Sequence, residues 1–138
     1  MAKSHAAIGQ FIAVLFLARD LAHRAHLRTT GPGSFARHEA LRAFYDGTDG
    51  DDDGDAGIID LADSLAEAYQ GCELVLIDIP LLDNEFPGEI KESLQAQLKW
   101  IKANRYKAVE REETHMQNII DEIVALYDRT IFKLHFLE

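Results

Sequence analysis

Residues 26–38 read HLRTTGPGSFARH and mark the point where one helix ends and the next begins. The glycines and the proline of this stretch cannot continue a helix, whereas Ser34 suits the N-cap of a new one. Upstream, apolar residues recur at helical spacing and predict a first helix over residues 5–29. Because the intervening turn is short, the two histidines that border it are expected at the same end of a helical hairpin.

The second helix is predicted from Phe35 to Asp46, and the same apolar pattern resumes at Ile58 and continues to about residue 70. Between the two halves lies the segment 48–57, which is rich in aspartate and glycine. Closure entropy grows only logarithmically with loop length, so an exposed insertion costs little stability. The segment is therefore interpreted as an insertion into a helix that was once continuous.

Two more amphipathic segments predict a third and a fourth helix. Pro87 suits the first turn of the third helix, and Thr114 begins the fourth, where Gln117 completes a capping box. The apolar residues 72–86 between helices 2 and 3 are predicted as a long extended crossover, because a lone strand would have no partner. These elements predict an all-α fold: one antiparallel four-helix bundle over residues 1–138, with ferritin-like connectivity.

Composition limits the classes of partner. A chain of 138 residues, 47% of them hydrophobic, is long enough to bury one core. Its formal net charge of -10 repels nucleic-acid phosphates, so nucleic acid is not an expected partner. The longest apolar run, FIAVLFLA at 11–18, is far shorter than the roughly 20 residues that cross a bilayer. With Cys72 as its single cysteine, the chain is expected in the cytoplasm rather than in a membrane or an oxidising compartment.

His26 and His38 are the first candidates for a metal site, because the hairpin brings both to one end of the bundle. Beyond the acidic segment, Asp63 and Glu67 are four residues apart and share one helix face, with Asp60 one turn upstream. Two imidazoles and two carboxylates form a mixed set of nitrogen and oxygen ligands. Such a set suits iron, zinc or manganese better than calcium or copper(I).

The pattern H-x4-G-P-x2-F-x2-H over residues 26–38, followed by D-x3-E at Asp63 and Glu67, resembles the signature of the Dps mini-ferritins. In that family the Asp and the Glu follow the second histidine at spacings ten residues shorter than in this chain. Removing the ten residues 48–57 restores both spacings together. The C-terminal stretch NIIDEIVALYDRTIFKLHFLE is also similar to the last helix of the family.

The resemblance implies that His26, His38, Asp63 and Glu67 match four of the usual ferroxidase ligands, which are the catalytic residues of iron oxidation. In the family the histidines come from one subunit and the carboxylates from its dimer partner, and the oxidised iron is stored inside a twelve-subunit shell. A dimer-based homo-oligomer is therefore implied. Arg42 stands where the family has a further aspartate, and it is expected to form an ion pair with Asp63 or Glu67 instead.

Arg42 leaves a second interpretation open, in which the protein is a catalytically silent helical bundle with a structural role. The stretches FYDG at 44–47, DLADSLAEAYQG at 60–71 and QNIIDEIVAL at 117–126 are similar to uncharacterised bacteriophage-encoded members of the same fold group. That likeness implies a virion or assembly component, with phage structural proteins as partners.

The acidic segment also fits a calcium-binding loop. From Asp49, the sequence DGDDDGDAGIID has Asp at the first, third and fifth positions, Gly at the sixth and Asp60 at the twelfth, which is the EF-hand pattern. Calcium or magnesium is therefore a second expected ligand, with candidate ligating residues Asp49, Asp51, Asp53, Asp55 and Asp60. The alternative is a solvated acidic excursion without a bound ion.

Overall fold

The computed structural model describes residues 5–47, 54–69, 86 and 88–137, and every regular element among them is an α-helix. There are five such helices in chain order: α1 (His5–Arg28), α2 (Ser34–Asp46), α3 (Ile58–Tyr69), α4 (Ile90–Ala108) and α5 (Thr114–Phe136). The predicted all-α class is therefore confirmed. The two halves of the predicted second helix are the separate helices α2 and α3.

The helices α2 and α3 together occupy one side of a four-sided bundle. Both pack against α1 and α5, and α4 also packs against α1 and α5. Both run antiparallel to α5, because Phe44 of α2 contacts Tyr127 whereas Ala68 of α3 lies beside Met116, eleven residues earlier in α5. The two short helices therefore follow α5 in one direction, as two halves of a single long helix would.

Gly47 and Gly57, called the glycine neck below, bring the end of α2 and the start of α3 into direct contact. A Cβ atom on Gly57 would lie 2.7 Å from the carbonyl carbon and 2.9 Å from the nitrogen of Asp46. Gly47 has a φ of +84°, and its amide donates to the carbonyl oxygen of Ala43. The carbonyl oxygen of Gly57 accepts the amide hydrogen of Leu61 and so begins α3. Only residues without a side chain allow the two helix ends to approach this closely.

Deleting residues 48–57 is expected to leave the bundle folded, with a free energy of unfolding within about 1 kcal/mol of the original chain. The reason is that Gly47, which directly precedes the deleted segment, already lies against Gly57, which is its last residue. Circular dichroism during urea unfolding measures the change. Replacing the same ten residues by a Gly/Ser linker separates the effect of charge from that of length, and loss of α3 helicity in the deletion variant would contradict the insertion hypothesis.

The helix α4 runs antiparallel to α1. Its first residue lies beside Ala25 near the end of α1, and its Trp100 contacts Phe11 near the beginning of α1, with 6.0 Å between ring centroids. The helix α3 ends with Tyr69 beside the last residue of α4. The end of α3 and the start of α4 therefore lie at opposite ends of the bundle. The predicted crossover that joins them falls on residues 70–85, outside the described residues.

The helix α1 is buried on two sides. One side contributes to the main core of the bundle, and Ala13, Val14 and Leu17 form a second cluster with Phe86. A helix buried on several sides needs no continuous polar stripe, which explains why α1 is apolar almost all round. Within the described residues, Ala6–Arg28 is the one helix long and apolar enough to cross a membrane by composition, with a mean hydropathy of 1.3, and 56% of that window is buried inside the bundle.

Two predicted helix starts differ from the structure. Gly33, with a φ of +78°, is the residue that precedes α2, so Ser34 is already helical and is not its N-cap. The helix α4 begins at Ile90, after an N-cap at Glu89 whose side chain accepts the amide hydrogen of Lys91. Pro87, predicted for the first turn of this helix, lies outside the described residues.

The predicted capping box of the last helix is wrong, because Gln117 is needed elsewhere. The residue before α5 is Glu113, and its side chain makes no capping hydrogen bond. The buried side chain of Gln117 donates to the carbonyl oxygen of Val109 at 3.0 Å and accepts from Nε of Arg105 at 2.9 Å. Arg105 also reaches the carboxylate of Asp121 at 2.7 Å. These bonds satisfy the carbonyl at the end of α4 and fasten α4 to α5.

A chain of polar side chains crosses the buried interface between α4 and α5. The hydroxyl of Tyr127 donates to Oε1 of Gln97 at 2.7 Å, and Nε2 of Gln97 donates to Oγ of Ser93 at 2.9 Å. All three residues are almost completely buried. Burial without a partner would cost each group free energy, so the chain of hydrogen bonds fixes the register of the two helices.

Candidate metal centre

The hairpin between α1 and α2 brings His26 and His38 into contact, as the sequence predicts. Their ring centroids are 4.4 Å apart, and the two rings meet edge to face at 81°. The turn residues permit this approach because Gly31 and Gly33 both adopt a positive φ, which most side chains disfavour. Both histidines are half-buried, so part of each residue remains accessible to solvent.

Each of these imidazoles uses one nitrogen for a hydrogen bond to the backbone. Nδ1 of His26 donates to the carbonyl oxygen of His38 at 3.2 Å, and Nε2 of His38 donates to the carbonyl oxygen of Thr29 at 3.0 Å. A carbonyl oxygen can only accept, so the neutral rings carry their protons on those nitrogens. Nε2 of His26 and Nδ1 of His38 therefore retain lone pairs. Histidines that bind metals commonly have this arrangement, because the second nitrogen fixes the tautomer and the ring orientation.

Three further side chains, which are not among the residues predicted from the sequence, surround the histidine pair. Tyr45 stacks on His23 at 4.7 Å and meets the edge of His26 at 5.9 Å, while the guanidinium of Arg19 lies 5.7 Å from the Tyr45 ring centroid. His23 precedes His26 by three residues, and Tyr45 follows His38 by seven, so helical spacing places them on the faces that carry the pair. That spacing is the signal that could have identified them.

The predicted carboxylate ligands lie on α3 and are solvent-exposed. Within the described residues, no group of three or more His, Cys, Asp or Glu side chains is arranged to hold a metal ion. One chain thus brings the two histidines together without bringing Asp63 or Glu67 to them. Neither carboxylate has an ion-pair partner among the described residues, and like charges four residues apart on a helix cost about 0.2–0.5 kcal/mol.

Arg42 does not form the expected ion pair with Asp63 or Glu67. Its Nε lies 3.9 Å from a carboxylate oxygen of Asp46, four residues later on α2, and about half of its side chain is exposed. The physical reason is distance along the helix, because Asp46 is one turn away whereas the acids of α3 lie beyond the glycine neck. Arg42 therefore does not neutralise the charge of either acid on α3 within this chain.

The predicted calcium loop is described only at its C-terminal end. Asp49, Asp51 and Asp53 lie outside the described residues, so calcium or magnesium binding there stays a prediction. Asp55 lies 4.0 Å from Nε of Arg129 on α5. The carboxylate of Asp60 accepts the amide hydrogen of Gly57 at 3.4 Å. This is the bond that the third residue of a helix makes back to the N-cap in a capping box. The helix α3 begins at Ile58, where the exit helix of such a loop was expected.

Comparison with known proteins places the chain in a family but assigns it no activity. A family model described as "Family of unknown function (DUF5856)" matches residues 26–134. The matched range begins at His26 and contains all four residues predicted as iron ligands. A search of curated proteins and a search of solved structures each gave no match. Since this family model matches more than three quarters of the chain, the protein belongs to the DUF5856 family.

Proposed function

We propose that this protein is a ferritin-like oligomer that binds iron at sites shared between subunits. In this proposal His26 and His38 come from one subunit, and Asp63 and Glu67 come from its neighbour. The observation that carries the proposal is the contact between two imidazoles, each of which has one nitrogen bonded to a backbone carbonyl and the other nitrogen available. Iron(II) would be the substrate of such a site, and the carboxylates would stabilise the iron(III) formed by an oxidant such as dioxygen.

The donor atoms on one chain fit half of such a site. Two neutral imidazoles bind iron well, but they supply too few ligands to hold it alone. Asp63 and Glu67 carry unneutralised charge on an exposed helix face, where a cation or a basic surface would relieve their repulsion. A second subunit that placed its α3 against the histidine pair would complete a mixed set of nitrogen and oxygen ligands.

The distribution of charge along the chain supports a contact between these two regions of different subunits. Residues 19–42, which carry the histidine pair, contain five arginines and only two acidic residues. Residues 43–90, which include α3, contain fourteen acidic residues and neither lysine nor arginine. Surfaces of opposite sign attract each other and orient association. The two halves of the proposed site therefore lie in regions that should attract.

The helix arrangement supports the ferritin-like part of the proposal. The helices α2, α3 and α4 all run antiparallel to α1 and α5. Because α3 and α4 run in the same direction, the chain must pass along the length of the bundle between the end of α3 and the start of α4. One such long connection is the feature that distinguishes ferritin-like bundles from simple up-and-down bundles. The segment 70–85 is long enough to make this return. Its 16 residues span about 53 Å when extended, at about 3.3 Å per residue. The 19 residues of α4 form a helix about 28 Å long, at about 1.5 Å per residue.

Adding iron(II) aerobically is expected to produce ferric species faster than in buffer, and His38→Ala should slow this at least about tenfold, since losing a ligand costs no less than losing its supporting partner. The formation of ferric-oxo absorbance in the near ultraviolet measures the rate. His115→Ala is the matched control, because His115 is exposed and lies near Glu113 at the start of α5. A rate equal to the buffer background would contradict the proposal.

A mixing experiment tests whether the site is shared between subunits. His38→Ala and Asp63→Asn are each expected to be inactive alone, because each removes a ligand from every site. After unfolding and refolding together, half of the dimers should be mixed, and each should contain one intact site of two, which restores about a quarter of the original rate. No recovery in refolded mixtures that contain mixed dimers would contradict a shared site.

The second candidate function is a structural helical bundle without catalysis, such as a bacteriophage virion or assembly component. The observation that favours it is that the described residues of one chain form no group of three or more metal-binding side chains, and a fold alone does not determine a function. An assembly that forms normally but does not oxidise iron(II) would support this function over the first.

A further inference from the structure

A groove of about 570 Å³ runs between α2 and α5 at the end of the bundle where α2 begins. Its walls are Phe35 on one side and Phe132 and Phe136 on the other. These three phenylalanines are 78%, 62% and 71% exposed, respectively. The groove is called the phenylalanine groove below.

The exposure of three aromatic rings in one place is unusual for a protein surface. Phe132 and Phe136 lie against each other, with 4.7 Å between their ring centroids, so the apolar area is contiguous. Contiguous apolar patches of this kind commonly mark interaction sites. Scattered apolar residues would need no such explanation.

We propose that the phenylalanine groove is an interface with a second copy of this chain, related by a two-fold axis. Two-fold dimers are the commonest oligomers and require a surface that complements itself. This interface rests on the proposed function in one respect only, namely that the protein associates with copies of itself. A dimer formed through this groove that does not oxidise iron(II) would contradict the metal proposal and leave the interface standing.

The apolar area of the groove matches what a modest dimer needs. A phenylalanine side chain offers roughly 150–250 Å², so the exposed parts of the three rings amount to about 400 Å² on each copy. Burial of both copies removes about 800 Å² from the rings alone, and the helix surface around them raises this to the roughly 1,000 Å² at which specific interfaces begin.

The charges on the rim favour a second copy over an unrelated partner. Glu39 lies on the α2 side of the groove and Lys133 on the α5 side. Both side chains are exposed, and neither has an ion-pair partner among the described residues. A two-fold axis along the groove brings Glu39 of one copy towards the partner's Lys133, and the same pair forms again on the other side. One acid and one base on opposite walls are what a self-complementary contact requires.

Truncating the aromatic wall tests the interface directly. Sedimentation or light scattering at concentrations up to about 100 µM should show association of the original chain, and Phe132→Ser should raise the dissociation constant at least about tenfold. Tyr106→Ser is the matched control, because Tyr106 is exposed, lies on α4 and does not line the groove. All these side chains are exposed, so helicity by circular dichroism should be unchanged.

Charge reversal tests the two-fold arrangement. Glu39→Lys and Lys133→Glu should each weaken association, because each places like charges opposite one another twice. The double variant should restore the original association, since it exchanges the two charges. Lys99→Glu, on α4 outside the groove, should have no such effect. A monomer at about 100 µM, an assembly whose mass is indifferent to Phe132→Ser, or a double variant that fails to recover would each overturn the proposal.

Discussion

Replacing Gly57 by alanine is expected to lower the free energy of unfolding by about 3 kcal/mol, a large effect for one methyl group. The added Cβ would lie 2.7 Å from the carbonyl carbon of Asp46 and would collide with the backbone nitrogen of Gly47. Backbone atoms at a helix end cannot rotate away as a side chain can. The methyl group must therefore push α3 away from α2 and disturb Phe44 and Ile58, which are fully buried on either side of the neck.

Gly88→Ala is the matched control for this prediction. A Cβ at Gly88 meets nothing within 4 Å, so the change should stay within about 0.5 kcal/mol of the original chain. Urea unfolding followed by circular dichroism compares the two variants. Equal stabilities of Gly57→Ala and Gly88→Ala would mean that the glycine neck does not join the two helices in solution.

Replacing Tyr127 by alanine is expected to lower the free energy of unfolding by about 4 kcal/mol, because the ring is fully buried and its removal leaves a cavity. The ring also meets Phe44 edge to face at 5.0 Å, and so links α5 to α2. Removing the hydroxyl deprives Gln97 of its donor as well. Tyr127→Phe retains the ring and loses only that hydrogen bond, so it should cost about 1–2 kcal/mol near neutral pH.

The pH dependence of stability separates the hydroxyl from the ring. Burial raises the pKa of Tyr127 well above its usual value of 10.0. The unfolded chain ionises this phenol above about pH 10 while the folded chain keeps it neutral, so the stabilisation is complete below pH 10 and is lost as the pH rises towards the folded pKa.

Above pH 10 the original chain should therefore lose up to about 1.4 kcal/mol per pH unit more than Tyr127→Phe, which has no phenol at this position. The other tyrosines are common to both proteins, and their contributions cancel. Urea unfolding at about pH 8 and pH 11 measures the two differences. A gap between the proteins that stays constant across this range would show that Tyr127 ionises freely in the folded state.

The helices could be predicted because their signals are local. Glycine and proline end α1 whatever tertiary fold the chain adopts. The helical spacing of apolar residues that starts at Ile58 can likewise be recognised without knowing which elements pack against it. The capping box at Thr114 failed for a tertiary reason. Gln117 could have capped its own helix, but Arg105 and the carbonyl of Val109 lie within its reach in the folded bundle. Local patterns do not reveal such competition.

In the candidate site, too, the features that depend on local sequence were predictable and those that depend on tertiary packing were not. His26 and His38 meet because a short turn constrains them, and sequence spacing alone is enough to foresee that. The sequence placed Asp63 and Glu67 on a common helix face, but their position relative to the histidines depends on packing and on other subunits. The ion pair expected for Arg42 does not form, because Asp46 lies one helical turn away on the same helix and is a nearer partner than the acids of α3.

The glycine neck also makes this bundle suitable for the insertion of a foreign domain. Its two ends touch, so a folded domain whose own termini lie close together could be fused between Gly47 and Gly57 without prising the helices apart. Such a fusion would display its cargo at one defined position on every subunit. If the subunits form a closed shell, the guest domains would be arrayed with the symmetry of that shell.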